Sequence, residues 1–430
     1  MFKFIHAADI HLDSAQKGLA AYEGAPVEAC RGATRRAFAN VVQLAIDEQA
    51  AFVVIAGDLY DGDWTDYNTG LFLVGQAARL RDHGIKVYAI RGNHDAANQM
   101  TKDLRLPDNV RLLSGDQPET VIDDDLGVAI HGQSFATRKI VHNMAQGYPD
   151  RVVGCLNLGV LHTCLSGREG HESYAPCSID DLCLRGYDYW ALGHVHAHEI
   201  LREGDPWIVF PGNTQGRHAR ETGPKGCMVA VVDDSRRIRA VRRHVVDVAR
   251  WEACEIDVAG ARDLDEILPI VESRLGLLLA ECDRDTMVVR LLLRGACLAH
   301  YDLVARSTAT LNEIRGVAVA ASMGRIWIEK AIVNTTPPGA PASAVDDGAI
   351  GEIDAFLDEL LRDPSRRETF VDSSFDEVRR KLPQELAGLL TDPERHLGWL
   401  GQVGPLLRAR LDPGTGRQPN LGRNNLDDDQ

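Results

Sequence analysis

No two cysteines of this chain are spaced as C-x-x-C, and the nine present, from Cys30 to Cys297, form an odd and scattered set. That distribution argues against a disulfide framework and against a zinc–thiolate site, and it suits a reducing cytoplasm. No apolar run approaches the roughly 20 residues that a membrane-crossing helix needs. The opening Met1-Phe2-Lys3-Phe4-Ile5 lacks the charged region, apolar stretch and cleavage site of a secretory signal. The expectation is a cytoplasmic protein without membrane association. Positive charge is also short: 47 lysines and arginines against 63 carboxylates leave a formal charge of −16. This is awkward for an enzyme of nucleic acids, because a polyanion must find local positive potential. Part of the negative charge belongs to candidate metal ligands, and much of the rest to acidic stretches such as Asp123-Asp124-Asp125 and Asp427-Asp428-Asp429. Net charge therefore does not decide the substrate. With 430 residues, 44% of them apolar, and no internal repeat, the chain should fold as two or three globular domains.

What the first half does contain is a series of five short motifs: Asp9-Ile10-His11, Gly57-Asp58-Leu59-Tyr60-Asp61, Gly92-Asn93-His94-Asp95, Gly159-Val160-Leu161-His162 and Gly193-His194-Val195-His196. Taken singly, each has an ordinary explanation. D-x-H is usually a turn carboxylate near a histidine, Gly and Asn in the second and third motifs serve turn geometry, and a single His162 is more often a strand histidine. The ordered set, each member at the end of a predicted strand, points instead to a metal centre. In this order the motifs resemble the signature of the calcineurin-like metallophosphoesterases: D-x-H, G-D-x-x-D, G-N-H-D, a later lone histidine and G-H-x-H.

The apolar patterns predict where these motifs sit. Phe2 to Ala7 is a strand delivering Asp9 and His11; Phe52 to Ala56 is a buried β-branched strand ending at Gly57-Asp58; Lys86 to Ile90 is a strand ending at Gly92-Asn93-His94. Amphipathic helices are predicted over 33–49 and 71–83, giving an α/β core with its site at the C-terminal edge of the strands. Further strands are predicted over 128–132, 156–162, 189–193 and 207–211, then a closing hairpin over 227–233 and 238–248. A second unit from Trp251 reads as strand 254–258, helix 263–281, strand 286–294, helix 299–316 and strand 324–333. Thr335-Thr336-Pro337-Pro338-Gly339-Ala340-Pro341 has linker composition. Beyond it Ile350, Ile353, Leu357, Leu360 and Leu361 share one face of a helix, further helical patterns run to about 411, and the Gly/Asn/Asp tail from 412 reads as mobile.

A two-metal phosphoesterase needs a bridging carboxylate, imidazole and oxygen ligands, and an open face for phosphate and water. Asp58 is the natural bridge. Asp9, His11 and His196 would complete one shell, and Asn93, His162 and His194 the other. The N/O ligand set suits two divalent ions, Mn²⁺ first with Fe²⁺ or Zn²⁺ as alternatives, and does not separate them. His94 stands outside the ligand count and is the candidate to steady the scissile phosphate or protonate the leaving oxygen, with Asp95 to orient its ring. Asp61 is open between supporting the site and capping locally. His6 and His198 are expected to be structural or to support the ligands.

The resemblance covers about residues 1–248 and is nearest to the bacterial DNA repair exonucleases, the SbcD-like and YhaO-like nuclease subunits. The stretches that carry it are Ile5-His6-Ala7-Ala8-Asp9-Ile10-His11-Leu12-Asp13, Gly57-Asp58-Leu59-Tyr60-Asp61-Gly62-Asp63-Trp64 and Pro211-Gly212-Asn213-Thr214-Gln215-Gly216-Arg217-His218, the last closer to the YhaO-like branch. It implies an α+β protein. A metallophosphoesterase β-sandwich flanked by helices would occupy 1–250, and a small α/β capping domain 251–334. A linker over 335–349, a helical partner-binding region over 350–411 and a tail over 412–430 would follow. It also implies DNA as substrate, an SMC-like coiled-coil ATPase as partner and a homodimer as one oligomeric state. One departure matters: position 61 is Asp, whereas archaeal and eukaryotic relatives carry His there, so no role of that histidine transfers.

For DNA, the candidate contacts are Trp64 and Tyr67 as stacking platforms, and Arg217, His218 and Arg220 for phosphates, with core packing the alternative for the aromatics. Arg168, Glu169, His171 and Tyr174 follow His162 and are further candidates to line the cleft. Arg236, Arg237, Arg239, Arg242 and Arg243 form a basic cluster that reads as a solvated strand face or as a DNA groove. The leading reading is a metal-dependent DNA exonuclease. A phosphodiesterase or phosphatase for small molecules or phosphoproteins, and a non-enzymatic scaffold for the ATPase, are the competing ones.

Overall fold

A computed structural model describes residues 1–14, 30, 32–61, 67–97, 104–165, 174–338, 349–381, 396–401 and 403, apart from the side chains of 349–354 and 376–381. The chain divides into two compact units. One is Met1–Ala253 with Glu281–Arg290 and Arg325–Glu329; the other is Cys254–Ala280 with Leu291–Gly324 and Lys330–Gln430.

The first unit contains β1 (Phe2–Ala7), α1 (Ala33–Asp47), β2 (Phe52–Ala56), α2 (Asn68–Asp82), β3 (Lys86–Ile90), β4 (Val110–Leu112), β5 (Glu119–Asp123) and β6 (Val128–Gly132). It continues with β7 (Leu156–His162), α3 (Ile179–Leu184), β8 (Tyr189–Gly193), β9 (Glu199–Arg202), β10 (Trp207–Phe210), β11 (Gly226–Val232) and β12 (Ile238–Val245). They form two six-stranded sheets, ordered β12-β11-β1-β2-β3-β4 and β5-β6-β7-β8-β10-β9. β1, β2 and β3 run parallel, as do β6, β7 and β8. Their C-terminal ends therefore gather along one edge of each sheet.

The β-branched run of β2 is buried at every position, as a central strand covered on both faces must be. The two sheets pack face to face: Phe4 stacks on Phe52 at 5.1 Å within one sheet and meets Tyr189 of the other edge-on at 5.2 Å. The buried face of α1, with Ala37, Phe38, Val41, Val42 and Ala45, covers the outside of the first sheet beside Val53, Ile55 and Val87. Trp190, Leu182, Phe135 and Tyr148 form the core on the outside of the second. This is the β-sandwich flanked by helices that the resemblance implies.

Farther along lie β13 (Ala249–Asp257), α4 (Leu264–Glu281), β14 (Thr286–Ala296), α5 (His300–Ala305), α6 (Ser307–Ser322) and β15 (Ile326–Thr336), with the strands in the order β13-β14-β15. The single helix expected over 299–316 is two, because Arg306 (φ −114°, ψ 33°) leaves the helical region between them. The closing strand runs on to Thr336 rather than ending at 333. α7 (Ala349–Arg362) and α8 (Pro364–Lys381) follow. Pro364 ends the first and suits the first turn of the second, while the Asp363 carboxylate accepts from the N–H groups of Ser365 and Arg366 as an N-cap. Leu357 and Leu360 are buried with Leu400, against Leu361, Phe370 and Val403. This helix face, readable either as a docking surface for a partner or as one that folds back on its own chain, thus packs Leu357 and Leu360 within the chain, with Leu361 partly buried beside them. The side chains of Ile350 and Ile353 and the tail from 412 lie outside the described residues.

Candidate metal centre

Each predicted ligand stands at a strand end: Asp9 and His11 just past β1, Asp58 past β2, Asn93 past β3, His162 closing β7, and His194 and His196 past β8. The connecting turns hold one another. The N–H of Asp9 donates to the Gly57 carbonyl at 3.1 Å, that of His11 to Asp58 at 3.0 Å and that of Thr163 to Gly193 at 3.1 Å. Asp9, His11, Asp58 and His194 all take left-handed backbone angles, with φ of 52°, 46°, 52° and 99°. Such conformations cost non-glycine residues about 1–3 kcal/mol each and concentrate at functional sites. The motif glycines are there for space. A Cβ on Gly92 would lie 2.2 Å from Asp58 Oδ1, and one on Gly193 would lie 1.9 Å from the Ala56 carbonyl oxygen.

The side chains converge. His11 Nε2 and His196 Nε2 are 3.2 Å apart, and His196 Nε2 is 3.8 Å from Asp9 Oδ1. On the other side His162 Nε2 lies 3.0 Å from Asn93 Oδ1. Asp58 Oδ2 stands between the two groups, 3.4 Å from His162 Nε2 and 3.9 Å from His11 Nε2, the position of a bridge. His194 meets His162 and Tyr174 edge-on, and its N–H donates to the Asp9 carboxylate. The far nitrogens fix the tautomers: His162 Nδ1 donates to the Ala56 carbonyl at 2.9 Å, and His196 Nδ1 to Glu221 at 2.7 Å. Both Nε2 atoms are left facing the centre. Buried lone pairs of nitrogen and oxygen aimed at common points, without thiolate, are a donor set that fits divalent cations.

The charges are tightly linked. Burial would raise Asp58, but His162, His11 and His94 hold it well below the usual carboxylate range. His162 is pushed up to about 9, because Asp58 and Asp9 outweigh its burial. His11 is driven far down, by burial and by Arg217.

His94 corrects one expectation. Its Nδ1 lies 2.9 Å from Asp61 Oδ1, not against Asp95. The buried Asp95 carboxylate accepts instead from the N–H groups of Leu59, Tyr60 and Gly92 at 3.1, 2.9 and 3.0 Å, pinning the third motif to the second. Asp61 is steadied by Ser14 Oγ, which donates to it at 2.6 Å, and its bond raises the His94 pKa.

The ligands open on a cleft of about 670 Å³ whose walls include His94, Arg138, Tyr174, Arg217, His218, Arg220, Glu221 and Lys225. Arg217 is anchored to Glu221 by Nη2 at 2.9 Å, with Nη1 3.8 Å from Asp61. Burial would raise Glu221, yet His196 and Arg217 keep it ionised far below its ordinary range. Sequence reasoning missed Glu221, Lys225, Arg138 and Ser14; the one signal was a carboxylate four places after Arg217. Trp64, Arg168, Glu169 and His171 lie outside the described residues. Tyr67, 42% exposed, sits at the start of α2 and is not on the cleft wall. None of the five clustered arginines lines the cleft either. Arg239 pairs with Asp233, and Arg236 and Arg243 donate to the carbonyls of Gly154 and Pro224, which favours the strand-face reading. His6 is structural, buried between Tyr189 Oη at 3.0 Å and the Leu192 carbonyl at 3.1 Å.

Residues 2–198 match the family model of the calcineurin-like phosphoesterases, and residues 251–336 that of the middle domain of metallophosphoesterase YhaO. The protein described as uncharacterized metallophosphoesterase YhaO, of Bacillus subtilis (strain 168), is 36% identical over 296 residues, 68% of this chain and 71% of its own. DNA double-strand break repair protein Mre11 of Methanosarcina mazei is 29% identical over 229 residues, 52% of this chain but only 35% of that relative. Mre11 of Haloferax volcanii is 27% identical over 303 residues, 69% of this chain and 62% of the relative. A sandwich whose two sheets jointly present the N/O ligand set, in a sequence this close to YhaO over most of both chains, has one family home: the chain belongs to the calcineurin-like metallophosphoesterases, as a metal-dependent phosphoester hydrolase of the YhaO- and SbcD-like kind.

Proposed function

We propose that this enzyme hydrolyses the phosphodiester bonds of DNA, as an exonuclease in repair, alongside an SMC-like coiled-coil ATPase. The observation that carries the reading is that His94, within reach of His11 and Asp58 but read here as a proton donor rather than a ligand, lines the same cleft as Arg217, His218, Arg220 and Lys225. A proton donor and a cationic wall then share one opening with the metal ligands. The Mre11 relatives, DNA double-strand break repair proteins, point the same way.

Asp9, His11, Asp58 and His196 would hold one ion, and Asp58, Asn93, His162 and His194 the other. Bound there, such a pair polarises a phosphoryl oxygen and makes hydroxide available near neutral pH. His94, its Nδ1 fixed by Asp61, leaves Nε2 for the cleft and holds the proton that the departing oxygen takes up. Arg217, locked by Glu221, offers a fixed guanidinium edge where negative charge gathers on the phosphate.

The test is hydrolysis of single- and double-stranded DNA with Mn²⁺, beside bis-p-nitrophenyl phosphate, using wild type and Asp58→Asn. Release of nucleotides from DNA ends by wild type alone is the expected result. Hydrolysis of the small diester with intact DNA would sink the DNA reading and leave a small-molecule phosphodiesterase. No hydrolysis of either by metal-loaded protein would leave a scaffold.

A further inference from the structure

Lys225 is only 6% exposed, yet it lines the cleft beside His196. Its ammonium donates to the His196 carbonyl at 3.3 Å, and no carboxylate among the described residues pairs with it. The two nearby acids are committed elsewhere. Glu221 accepts from His196, Arg217 and Asn213. Asp247 accepts from both ends of Arg250 at 2.7 and 3.1 Å and lies 3.0 Å from Arg284. Burial, with Arg243 and Arg217 close by, pulls the ammonium below the ordinary lysine range against the attraction of Glu221 and Asp247. A desolvated cation facing a solvent-filled cleft is best satisfied by an anion arriving from that cleft. Arg220 and His218 stand on the same wall, and the side chain of Arg220 is exposed. All three lie on the segment between β10 and β11, which also carries Arg217.

We propose that Lys225, with Arg220 and His218, forms a subsite for a second phosphate, the neighbour of the phosphate being cut. Its ligand class is a strand of successive phosphodiesters rather than an isolated ester. The subsite rests on the reading of this enzyme as a DNA nuclease, and it separates the duties of the wall: Arg217 serves the reacting phosphate, and Lys225 holds the strand.

Lys225→Met and Arg220→Ala should each be compared with wild type for kcat/KM on an oligonucleotide and on bis-p-nitrophenyl phosphate, with Mn²⁺ content measured in parallel. The expected loss on the oligonucleotide exceeds that on the small diester by roughly tenfold or more for Lys225→Met. Oligonucleotide binding should also depend less steeply on salt, by about one phosphate contact. Equal losses on both substrates, or none, would overturn the subsite. If Lys225→Met fails to fold or loses metal, the exposed Arg220→Ala variant decides by the same ratio and salt slope. Wild-type protein that cleaves the diester but not DNA overturns the nuclease reading; wild type that cuts DNA with unchanged variant ratios overturns the subsite alone.

Discussion

Asp61 Oδ1 stands 2.9 Å from His94 Nδ1, while Ser14 Oγ donates to the other oxygen of the same carboxylate at 2.6 Å. The pair makes His94 a better proton holder than a free imidazole, since the Asp61 bond raises its pKa despite partial burial. His94→Ala should lose roughly 10²–10⁴-fold in kcat, the usual worth of a general acid, with both metals retained. Asp61→Asn should lose a smaller part. It should also shift the profile: an acid works below its pKa, so lowering that pKa moves the alkaline limb of kcat to lower pH. Profiles of kcat against pH check this, and an alkaline limb unmoved in Asp61→Asn would remove Asp61 from the mechanism.

Glu221 holds His196 by Nδ1 and Arg217 by two side-chain nitrogens and its N–H. Partners of this kind typically contribute 10- to 100-fold in metal affinity. Glu221→Gln should therefore weaken Mn²⁺ binding by about that factor at the His196 shell only, giving two separated steps in a calorimetric titration. Uniform weakening of both steps, or none, would show that Glu221 does not position that ligand.

His6 is pushed down to about 3 by burial, with the Leu192 carbonyl pulling the other way. The unfolded chain takes up this proton near pH 6.5 and the folded one near 3. The stability contributed by neutral His6 is therefore complete above pH 6.5 and is lost as pH falls towards 3, at on the order of 1 kcal/mol per pH unit. His6→Gln, able to keep both hydrogen bonds, should flatten this slope in urea unfolding measured from neutral to acid pH. An identical slope in the variant would place the acid sensitivity elsewhere.

How legible the molecule is in its sequence depends on where each signal resides. β1, β2, β3, β7 and β8 announce themselves because central strands must be apolar along their length. β4, β5 and β9 do not: at most one residue in each is fully buried, and they are held by pairing rather than by pattern. α3 buries only Leu182, and its readable signal is the capping box of Ser178 and Asp181. The candidate ligands were legible because metal chemistry fixes their types and spacing. Asp95 misled because adjacency to His94 says nothing of direction, and one carboxylate turned to the backbone while another reached the ring. Glu221 and Lys225 gain meaning only when the loop between β10 and β11 folds against His196.

Gly193 faces the Ala56 carbonyl so closely that an added Cβ would sit 1.9 Å from its oxygen, with His162 Nδ1 at 3.0 Å. Backbone cannot swing aside as a side chain can. Gly193→Ala should reach or exceed the upper end of the ~1–3 kcal/mol typical of overpacking, seen as a lower denaturation midpoint, and should weaken metal binding as well. A variant with wild-type stability would mean that the two sheet edges have slack.

The ligand set is divided between the two sheets: Asp9, His11, Asp58 and Asn93 leave the edge of one, and His162, His194 and His196 the edge of the other. Ions held there would act as rivets through a laminate, and part of the free energy of metal capture would become resistance to delamination. The same division sets a tight positional tolerance. A slip of either sheet past the other by a fraction of a bond length would misplace every one of these candidate ligands at once, so the hydrophobic seam of Phe4, Phe52 and Tyr189 is also the gauge that sets the spacing of the metal centre.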